Sequence, residues 1–264
     1  MNSCFSITSE KISVSHFVDG EYIGQINGDH CHDRYEITYL VSASGSYIVE
    51  GSEQRIARGT LMLICPMSYH RVCLDNNDID GFSVYFTKDA LTPGVLAILD
   101  KLTDKGSSGL IFSQSLLSDE IVNSFERFSV ASRFAENESS EYMQALLSQI
   151  LILLSATEGD RITHTNEELG ARVARYLNSN IEKSLSLDRL ARRFFVSKYH
   201  LCRAFKSYSG TSVHAYVNHK KIMYAKSLIE SGLTASGAAE RVGFGDYSAF
   251  YRAYVKIVGK SPTA

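Results

Sequence analysis

The chain lacks long apolar stretches, paired cysteines and catalytic motifs. Its longest apolar run, Leu146–Leu154, is interrupted by Ser148 and Gln149, so no segment reaches the length of a membrane span. Residues 1–17 have neither an apolar centre nor a basic start, and we therefore expect no secretion signal. Five cysteines without paired spacing predict reduced thiols in the cytoplasm.

The sequence also lacks a Ser/His/Asp set, a phosphate-binding glycine loop and a cysteine metal site. We therefore predict that the chain is not an enzyme and that it holds no cofactor. The first indication of function comes instead from the distribution of charged residues along the chain.

Charge is divided unevenly along the 264 residues, although the formal net charge is only −2. Residues 1–167 hold 11 basic and 23 acidic side chains, whereas residues 168–264 hold 16 basic and 6 acidic side chains. A basic domain is what neutralisation of nucleic-acid phosphates requires, and an acidic domain is suited to another task. Because the chain is also longer than a usual single domain, we predict two domains, residues 1–160 and 161–264.

The basic part contains a helix-turn-helix pattern twice. The first copy runs S-L-D-R-L-A-R-R-F-F-V-S-K-Y-H-L-C-R-A-F-K from Ser186 to Lys206. The second runs T-A-S-G-A-A-E-R-V-G-F-G-D-Y-S-A-F-Y-R-A-Y-V-K from Thr234 to Lys256. Corresponding residues lie 48 or 49 positions apart, a period that indicates an internal repeat.

Small and apolar residues fit the packing that this motif needs. Ala191 and Ala239 allow the two helices of each unit to approach near the turn. Gly243 supplies a left-handed residue in the second turn, but Phe195 stands at the equivalent position of the first, where we expect it to pack as core. Ser197 and Asp246 are predicted caps of the second helices.

Each second helix then presents a polar face opposite its apolar positions, which are Leu201 and Phe205 in the first copy and Phe250 and Tyr254 in the second. We expect Arg203 and Arg252 to contact base edges, because arginine can bond guanine in a fork. The full predicted DNA-binding set is Lys198, Tyr199, Cys202, Arg203, Lys206, Tyr247, Ser248, Tyr251 and Arg252.

Residues 170–262 resemble the DNA-binding domain of the AraC/XylS family of bacterial transcription regulators. The similarity rests on L-A-x-x-x-x-V-S-x-x-x-L-x-R-x-F-K (Leu190–Lys206), Y-V-x-x-x-K-I-x-x-A-x-x-L-I (Tyr216–Ile229) and V-G-F-x-D-x-S-x-F-x-R-x-Y (Val242–Tyr254). Lys221 departs from the family pattern, which usually has arginine there. The resemblance implies a transcription regulator that binds promoter DNA through two recognition helices about 34 Å apart, acts with RNA polymerase and forms a homodimer.

The acidic part alternates polar and apolar residues as antiparallel strands do, with predicted strands at His32–Val41, Tyr47–Glu50, Gln54–Ile56, Leu61–Cys65, Arg71–Leu74 and Phe82–Thr87. It resembles the cupin-type sensor domain through H-x-H-x-x-x-E (His30, His32, Glu36), Gly45 and G-x-x-x-x-x-x-P-x-x-x-H (Gly59, Pro66, His70). The predicted fold class is therefore α+β: an antiparallel β-barrel with a helical dimerisation segment, followed by an all-α domain with two helix-turn-helix units.

The resemblance to sensor domains implies that the small-molecule effector binds near these histidines. In an extended strand His30, His32 and Glu36 share a face, and His70 comes from a later strand. We predict the ligand-binding set His30, His32, Glu36, Tyr39 and His70. The same histidines and glutamate could instead be structural or bind a divalent metal, as in metal-dependent cupins.

Two helices, Leu116–Phe128 and Tyr142–Ser155, are predicted between the sheet and the basic domain. The second carries more apolar surface than one covering role needs, which favours dimerisation. The polar segment Glu158–Glu168 is interpreted as a linker. The sequence thus predicts a regulator of transcription, most simply an activator controlled by an effector; a metal-binding cupin fused to a DNA-binding domain and a constitutive regulator are the alternatives.

Overall fold

The computed structural model describes residues 4–18, 30–76, 78–103, 107–163, 169–183 and 186–263. It divides the chain into two compact units. The first, here called the sheet unit, contains residues 1–28 and 34–163. The second, the helical unit, contains residues 29–33 and 164–264.

Two antiparallel sheets form the framework of the sheet unit. Within the described residues, one sheet has seven strands in the order β1-β2-β8-β3-β6-β9-β10, and the other has three in the order β5-β4-β7. The strands are β1 (Phe5–Thr8), β2 (Ile12–Val18), β3 (Tyr35–Ser42), β4 (Gly45–Val49), β5 (Ser52–Ile56), β6 (Leu61–Ile64), β7 (His70–Leu74), β8 (Asp80–Phe86), β9 (Ser107–Phe112) and β10 (Asp160–Thr163).

Three helices of the sheet unit pack against the larger sheet: α1 (Pro93–Leu102), α2 (Asp119–Arg127) and α3 (Glu136–Ser155). Their apolar side chains, among them Leu99, Phe125 and Leu151, join one core cluster with residues from β2, β3, β6, β8 and β9. Burial of this large apolar surface is the main favourable contribution to the stability of the unit.

Alternation along β3 divides the sheet into two faces. Tyr35, Ile37 and Tyr39 belong to the cluster beneath the helices, whereas Glu36 and Thr38 point to the opposite face. A second apolar cluster unites side chains of both sheets and contains Phe17, Leu40, Ala43, Tyr47, Val49, Ile56, Met62, Ile64, Val72, Ile79 and Ile162. Polar and apolar side chains therefore share the inner face of the larger sheet.

The α+β class is confirmed, and the six predicted strands correspond to β3–β8 with small shifts at their ends. The sequence did not predict β1, β2, β9, β10 or α1. The second predicted helix begins earlier, at Glu136, and the first is reduced to Asp119–Arg127 between short 3-10 turns.

The interpretation of Glu158–Glu168 as a plain linker was wrong in its first half, because β10 (Asp160–Thr163) pairs with β9 at the edge of the larger sheet. The error has a simple cause: Asp160 and Arg161 are exposed and Ile162 is buried in the second apolar cluster, and a single buried position gives no periodic signal. Residues 164–168 lie outside the described part of the chain.

The helical unit consists of α4 (Leu169–Asn178), α5 (Leu187–Phe194), α6 (Lys198–Ser209), α7 (Val213–Glu230), α8 (Ala235–Arg241) and α9 (Tyr247–Val258). Helices α5 and α6 form the first helix-turn-helix, α8 and α9 form the second, and α7 connects them. Both predicted caps are confirmed: the Ser197 hydroxyl accepts the His200 amide, and the Asp246 carboxylate accepts the amides of Ser248 and Ala249.

The two turns solve the same backbone problem with different residues. Gly243 adopts a φ of 75° in the second turn, where glycine is unstrained. Phe195 ends α5 with a φ of 57°, and its side chain is 94% exposed. The expectation that Phe195 packs as core was therefore wrong: the turn requires a left-handed residue, and this geometry directs the ring into solvent.

Replacement of Phe195 by glycine should stabilise the protein. The left-handed conformation costs a residue with a side chain about 1–2 kcal/mol, a cost that glycine avoids. We expect Phe195→Gly to raise the free energy of unfolding by about 1 kcal/mol in chemical denaturation of the full chain. Phe195→Ala is the matched control, since it removes the ring but keeps the strain. Equal stability of the two variants would contradict this account.

Candidate DNA-binding interface and ligand site

The two second helices of the helix-turn-helix units are held in place by buried aromatic side chains. Leu201 and Phe205 of α6 are fully buried, as is Phe250 of α9, and Tyr254 is nearly so. Ala191 and Ala239, on the first helices of the two units, are buried at 6% and 4% exposure. The repeat therefore places corresponding residues in corresponding packing positions, and α6 and α9 are the candidate recognition helices.

The outer face of α6 is basic. Lys198, Arg203 and Lys206 are exposed, Tyr199 is 76% exposed, and Cys202 is half-buried. Lys198 Nζ lies 3.0 Å from Asp188 Oδ1, but both side chains are more than half exposed, so this ion pair adds little stability. The lysine can exchange Asp188 for a phosphate at small cost.

The outer face of α9 is more aromatic. Tyr247, Ser248, Tyr251 and Arg252 are exposed. The Tyr247 ring lies 5.7 Å from the buried Phe250 ring and 6.5 Å from Tyr251, measured between centroids. Apolar and hydroxyl groups suit contacts with thymine methyls and base edges, whereas the basic face of α6 suits phosphates and guanine.

Two further arginines lie near the first helix-turn-helix and were not singled out from the sequence. The Arg193 guanidinium lies 4.3 Å from the centre of the Tyr176 ring, and the Arg172 guanidinium 5.6 Å from that of Phe194. Both arginines are exposed. Their signal in the sequence was only the general excess of basic residues, because their partners come from different helices.

In the sheet unit, Glu36 of β3 and His70 of β7 form a buried ion pair. The distance from His70 Nε2 to Glu36 Oε2 is 3.1 Å, and the two side chains are 1% and 6% exposed. The other carboxylate oxygen of Glu36 accepts the Thr38 hydroxyl at 2.7 Å. His70 Nδ1 donates to the Ser68 carbonyl at 2.8 Å, and the ring stacks on Tyr47.

Both ring nitrogens of His70 therefore face acceptors, which favours the imidazolium form. Burial opposes this charge, but the hydrogen bond and negative charge of Glu36, with the Ser68 carbonyl and Glu50, raise the pKa of His70 above its ordinary value. Glu50 is itself buried, and its carboxylate accepts the Tyr69 amide at 2.9 Å. The interior thus holds a charged cluster beside an apolar one.

For the other residues of the predicted ligand set, the structure changes the strand assignment of His30 and His32 and the sheet face of Tyr39. Strand β3 begins at Tyr35, so His30 and His32 precede it and do not lie on it. Residues 29–33 group with the helical unit, and the rings of His30 and His32 lie 6.0 Å apart. Tyr39 faces the core beneath the helices, stacked on Phe125 at 5.0 Å, because it has the opposite parity to Glu36.

No helix among the described residues is both long and apolar enough to cross a bilayer.

Comparison with known protein families finds two matches that divide the chain. Residues 17–163 match the family model described as "AraC-like ligand binding domain", and residues 190–264 match the one described as "Helix-turn-helix domain".

Individual relatives are distant but extend over most of the chain. It is 24% identical over 247 residues to the "uncharacterized HTH-type transcriptional regulator YfiF" of Bacillus subtilis, an alignment that covers 88% of this chain and 76% of YfiF. It is 25% identical over 251 residues to the "HTH-type transcriptional activator RhaS" of Salmonella schwarzengrund, covering 89% and 85%. Among solved structures, ToxT of Vibrio cholerae O395 covers 96% of this chain and 94% of its own, with 14% identity and a TM-score of 0.44.

A ligand-binding domain joined to a pair of helix-turn-helix units defines a transcription regulator that binds DNA. The chain belongs to the AraC family of these regulators. Its named relatives are regulators of transcription and not enzymes.

The pair of Glu36 and His70 should make stability depend on pH. A raised folded-state pKa stabilises the fold fully below the ordinary histidine value, about 6.5, and this contribution is lost as the pH rises through the folded-state pKa. In Glu36→Gln the burial remains and the carboxylate charge is lost. We therefore expect the pKa of His70, measured by NMR titration, to fall.

The Tm difference between wild type and Glu36→Gln should be largest below the ordinary histidine pKa of about 6.5 and shrink as the pH rises through the raised folded-state pKa. Glu141→Gln, which neutralises an exposed carboxylate on α3, is the control and should leave both measurements unchanged. An unaltered His70 titration in Glu36→Gln would show that Glu36 does not set the charge of this histidine.

Proposed function

We propose that the protein is a transcription activator that reads a two-part promoter site with α6 and α9 and responds to a small molecule bound by the sheet unit. The observation that carries this proposal is the pairing, in one helical unit, of two candidate recognition helices with buried aromatic ridges and exposed polar faces. The activator role is supported by the relative RhaS, which is named as an activator.

The two exposed faces divide the work of recognition. Arg203 and Arg252 occupy corresponding positions of α6 and α9 and are the proposed contacts to base edges. Lys198 and Lys206 are the proposed phosphate contacts, which position the protein without reading sequence. The remaining proposed contacts to DNA are Tyr199, Cys202, Tyr247, Ser248 and Tyr251.

The effector is proposed to be an organic molecule with hydrogen-bonding groups. Glu36 and His70 offer a carboxylate and an imidazole beside the apolar cluster that contains Tyr47. A polar group of the ligand can take the place of Glu36 or His70 in this pair and so keep the remaining member hydrogen-bonded. A purely apolar ligand that separated the pair would leave a buried charge unpaired. His30 and His32 stay in the proposed ligand set as predictions from the sequence.

The activator is proposed to act as a homodimer that contacts RNA polymerase. Helix α3 supports the dimer, because Ile152 on this helix is 48% exposed although its neighbours Leu151 and Leu154 are fully buried. In the proposed dimer, a second copy of the chain removes this isoleucine side chain from water. We also propose a cytoplasmic location, where bacterial promoters lie.

Selection of sites from random duplex DNA with the full chain tests the DNA-binding part. Arg203→Ala and Arg252→Ala should each weaken binding to the selected site by about 1–3 kcal/mol and relax the preference at one base position. Lys206→Met is the control: it should weaken all sequences similarly and reduce the salt dependence of binding. An arginine whose loss leaves affinity and base preference intact does not read a base.

Thermal unfolding of the full chain with sugars, other metabolites, fatty acids and divalent metals tests the effector part. A ligand that binds only the folded state must raise the Tm, so we expect a saturable shift with one organic class, which Glu36→Gln reduces. A shift with metal alone, reversed by a chelator, would favour a metal-binding cupin. The absence of any shift, together with full DNA affinity, would favour the constitutive regulator.

A further inference from the structure

Two adjacent lysines are buried in the middle of the connecting helix. Lys220 and Lys221 of α7 are only 3% and 7% exposed. Successive residues of a helix project about 100° apart, so the two side chains leave α7 in different directions. Burial of an ammonium group is costly unless it is well hydrogen-bonded, and an apolar residue would fill the same space at lower cost. The contacts of the two lysines therefore need an explanation other than stability.

Lys220 is directed toward the end of α4 and toward a ring of α7 that packs against the first helix-turn-helix. Its Nζ donates to Asn178 Oδ1 at 2.7 Å, at the end of α4, and lies 4.6 Å from the centre of the Tyr216 ring. The Tyr216 hydroxyl donates to the same Asn178 oxygen at 3.0 Å. The Tyr216 ring in turn meets the edge of Phe205, the buried aromatic residue of α6, at 5.2 Å between centroids.

Lys221 is directed toward the second helix-turn-helix in a parallel arrangement. Its Nζ donates to the Gly243 carbonyl at 3.3 Å and lies 5.9 Å from the centre of the Phe244 ring. The Phe244 ring meets Phe250, the buried aromatic residue of α9, at 5.5 Å between centroids. Burial lowers the pKa of Lys221.

The second turn leaves little room to move around this contact. A Cβ on Gly243 would lie 2.7 Å from the Glu182 carbonyl oxygen and 3.1 Å from Lys221 Nζ. The turn is thus confined between the lysine and the segment before α5. The hydrogen bond from Lys221 therefore joins α7 directly to the turn from which α9 begins.

We propose that Lys220 and Lys221 are positioning residues that fix the two recognition helices on α7 and thereby set the spacing of DNA half-sites that the protein accepts. Each lysine reaches one recognition helix through one aromatic ring: Lys220 through Tyr216 to Phe205, and Lys221 through Phe244 to Phe250. The two paths start from neighbouring residues of one rigid helix. The relative orientation of α6 and α9 therefore depends on both ammonium groups.

The test measures spacing discrimination, and it rests on the proposed DNA-binding function. The wild-type chain first selects a two-part site from random duplex DNA. Its affinity is then measured for that site and for copies in which one base pair is inserted or removed between the half-sites. The spacing ratio is the affinity for the selected site divided by the affinity for an altered copy. Both affinities are measured with one preparation, so the ratio does not depend on the fraction of folded protein.

Lys220→Met and Lys221→Met should each lower this ratio by about tenfold or more, the loss expected when a hydrogen bond to a charged group is removed. Footprinting should show weakened protection of the half-site read by α6 in Lys220→Met and of the one read by α9 in Lys221→Met. Lys221→Arg keeps a cationic donor and should retain the wild-type ratio. If a methionine variant does not fold, the corresponding glutamine variant, which keeps an amide donor, replaces it and should show an intermediate loss.

Lys206→Met is the matched control, because it removes an exposed lysine of α6. It should lower affinity and the salt slope but leave the spacing ratio unchanged. Methionine variants of Lys220 and Lys221 that keep the wild-type ratio, or that reduce the salt slope as a phosphate contact would, overturn the positioning role. If the wild-type chain selects no DNA site, the proposed function fails instead.

Discussion

The helical unit depends on the enclosure of α7 by the elements that it connects. Four consecutive residues of this helix, from Lys220 to Met223, are buried. At about 100° per residue they point in different directions around the circumference, so the middle of α7 has no fully exposed side. A helix enclosed in this way is usually apolar all round, yet two of the four residues are lysines. The departure identifies the two positions at which α7 holds its neighbours by directed hydrogen bonds in addition to packing.

A comparable separation occurs in the sheet unit, where strand alternation places core side chains on one face of β3 and the buried Glu36 with its hydrogen-bonding partners on the other. Ile37 and Tyr39 complete the core beneath the helices, whereas Glu36 and Thr38 share the inner face. A shift of one residue in the register of β3 would exchange the two sets and bury Glu36 among apolar side chains. The large energetic penalty of that exchange fixes the register and keeps Glu36 opposite His70.

The repeat in the sequence predicted most of the helical unit because each of its rules is local. A small residue at Ala191 and a capping side chain at Ser197 act within a few residues, and the structure confirms their packing and hydrogen bonds. Predictions from the sequence failed mostly where contacts between distant segments of the chain determine the structure. Tyr39 is the exception, because its spacing of three residues from Glu36 already places it on the opposite face of β3. Strand β10 is held by a single buried side chain, Ile162. The pairing of Lys220 with Asn178 joins residues 42 positions apart and has no sequence pattern.

Ile162 also bears on how the proposed effector could influence DNA binding. Its side chain belongs to the apolar cluster that contains Tyr47, whose ring stacks on His70. Strand β10 is an edge strand of four residues with a register shift between Ile162 and Thr163, so few backbone hydrogen bonds hold it. A ligand that displaces the Tyr47 ring beside His70 would change the packing of the cluster to which Ile162 belongs. In the chain, β10 is the last strand before the helical unit, so a proposed effector signal that passes along the backbone would pass through an edge strand of the larger sheet.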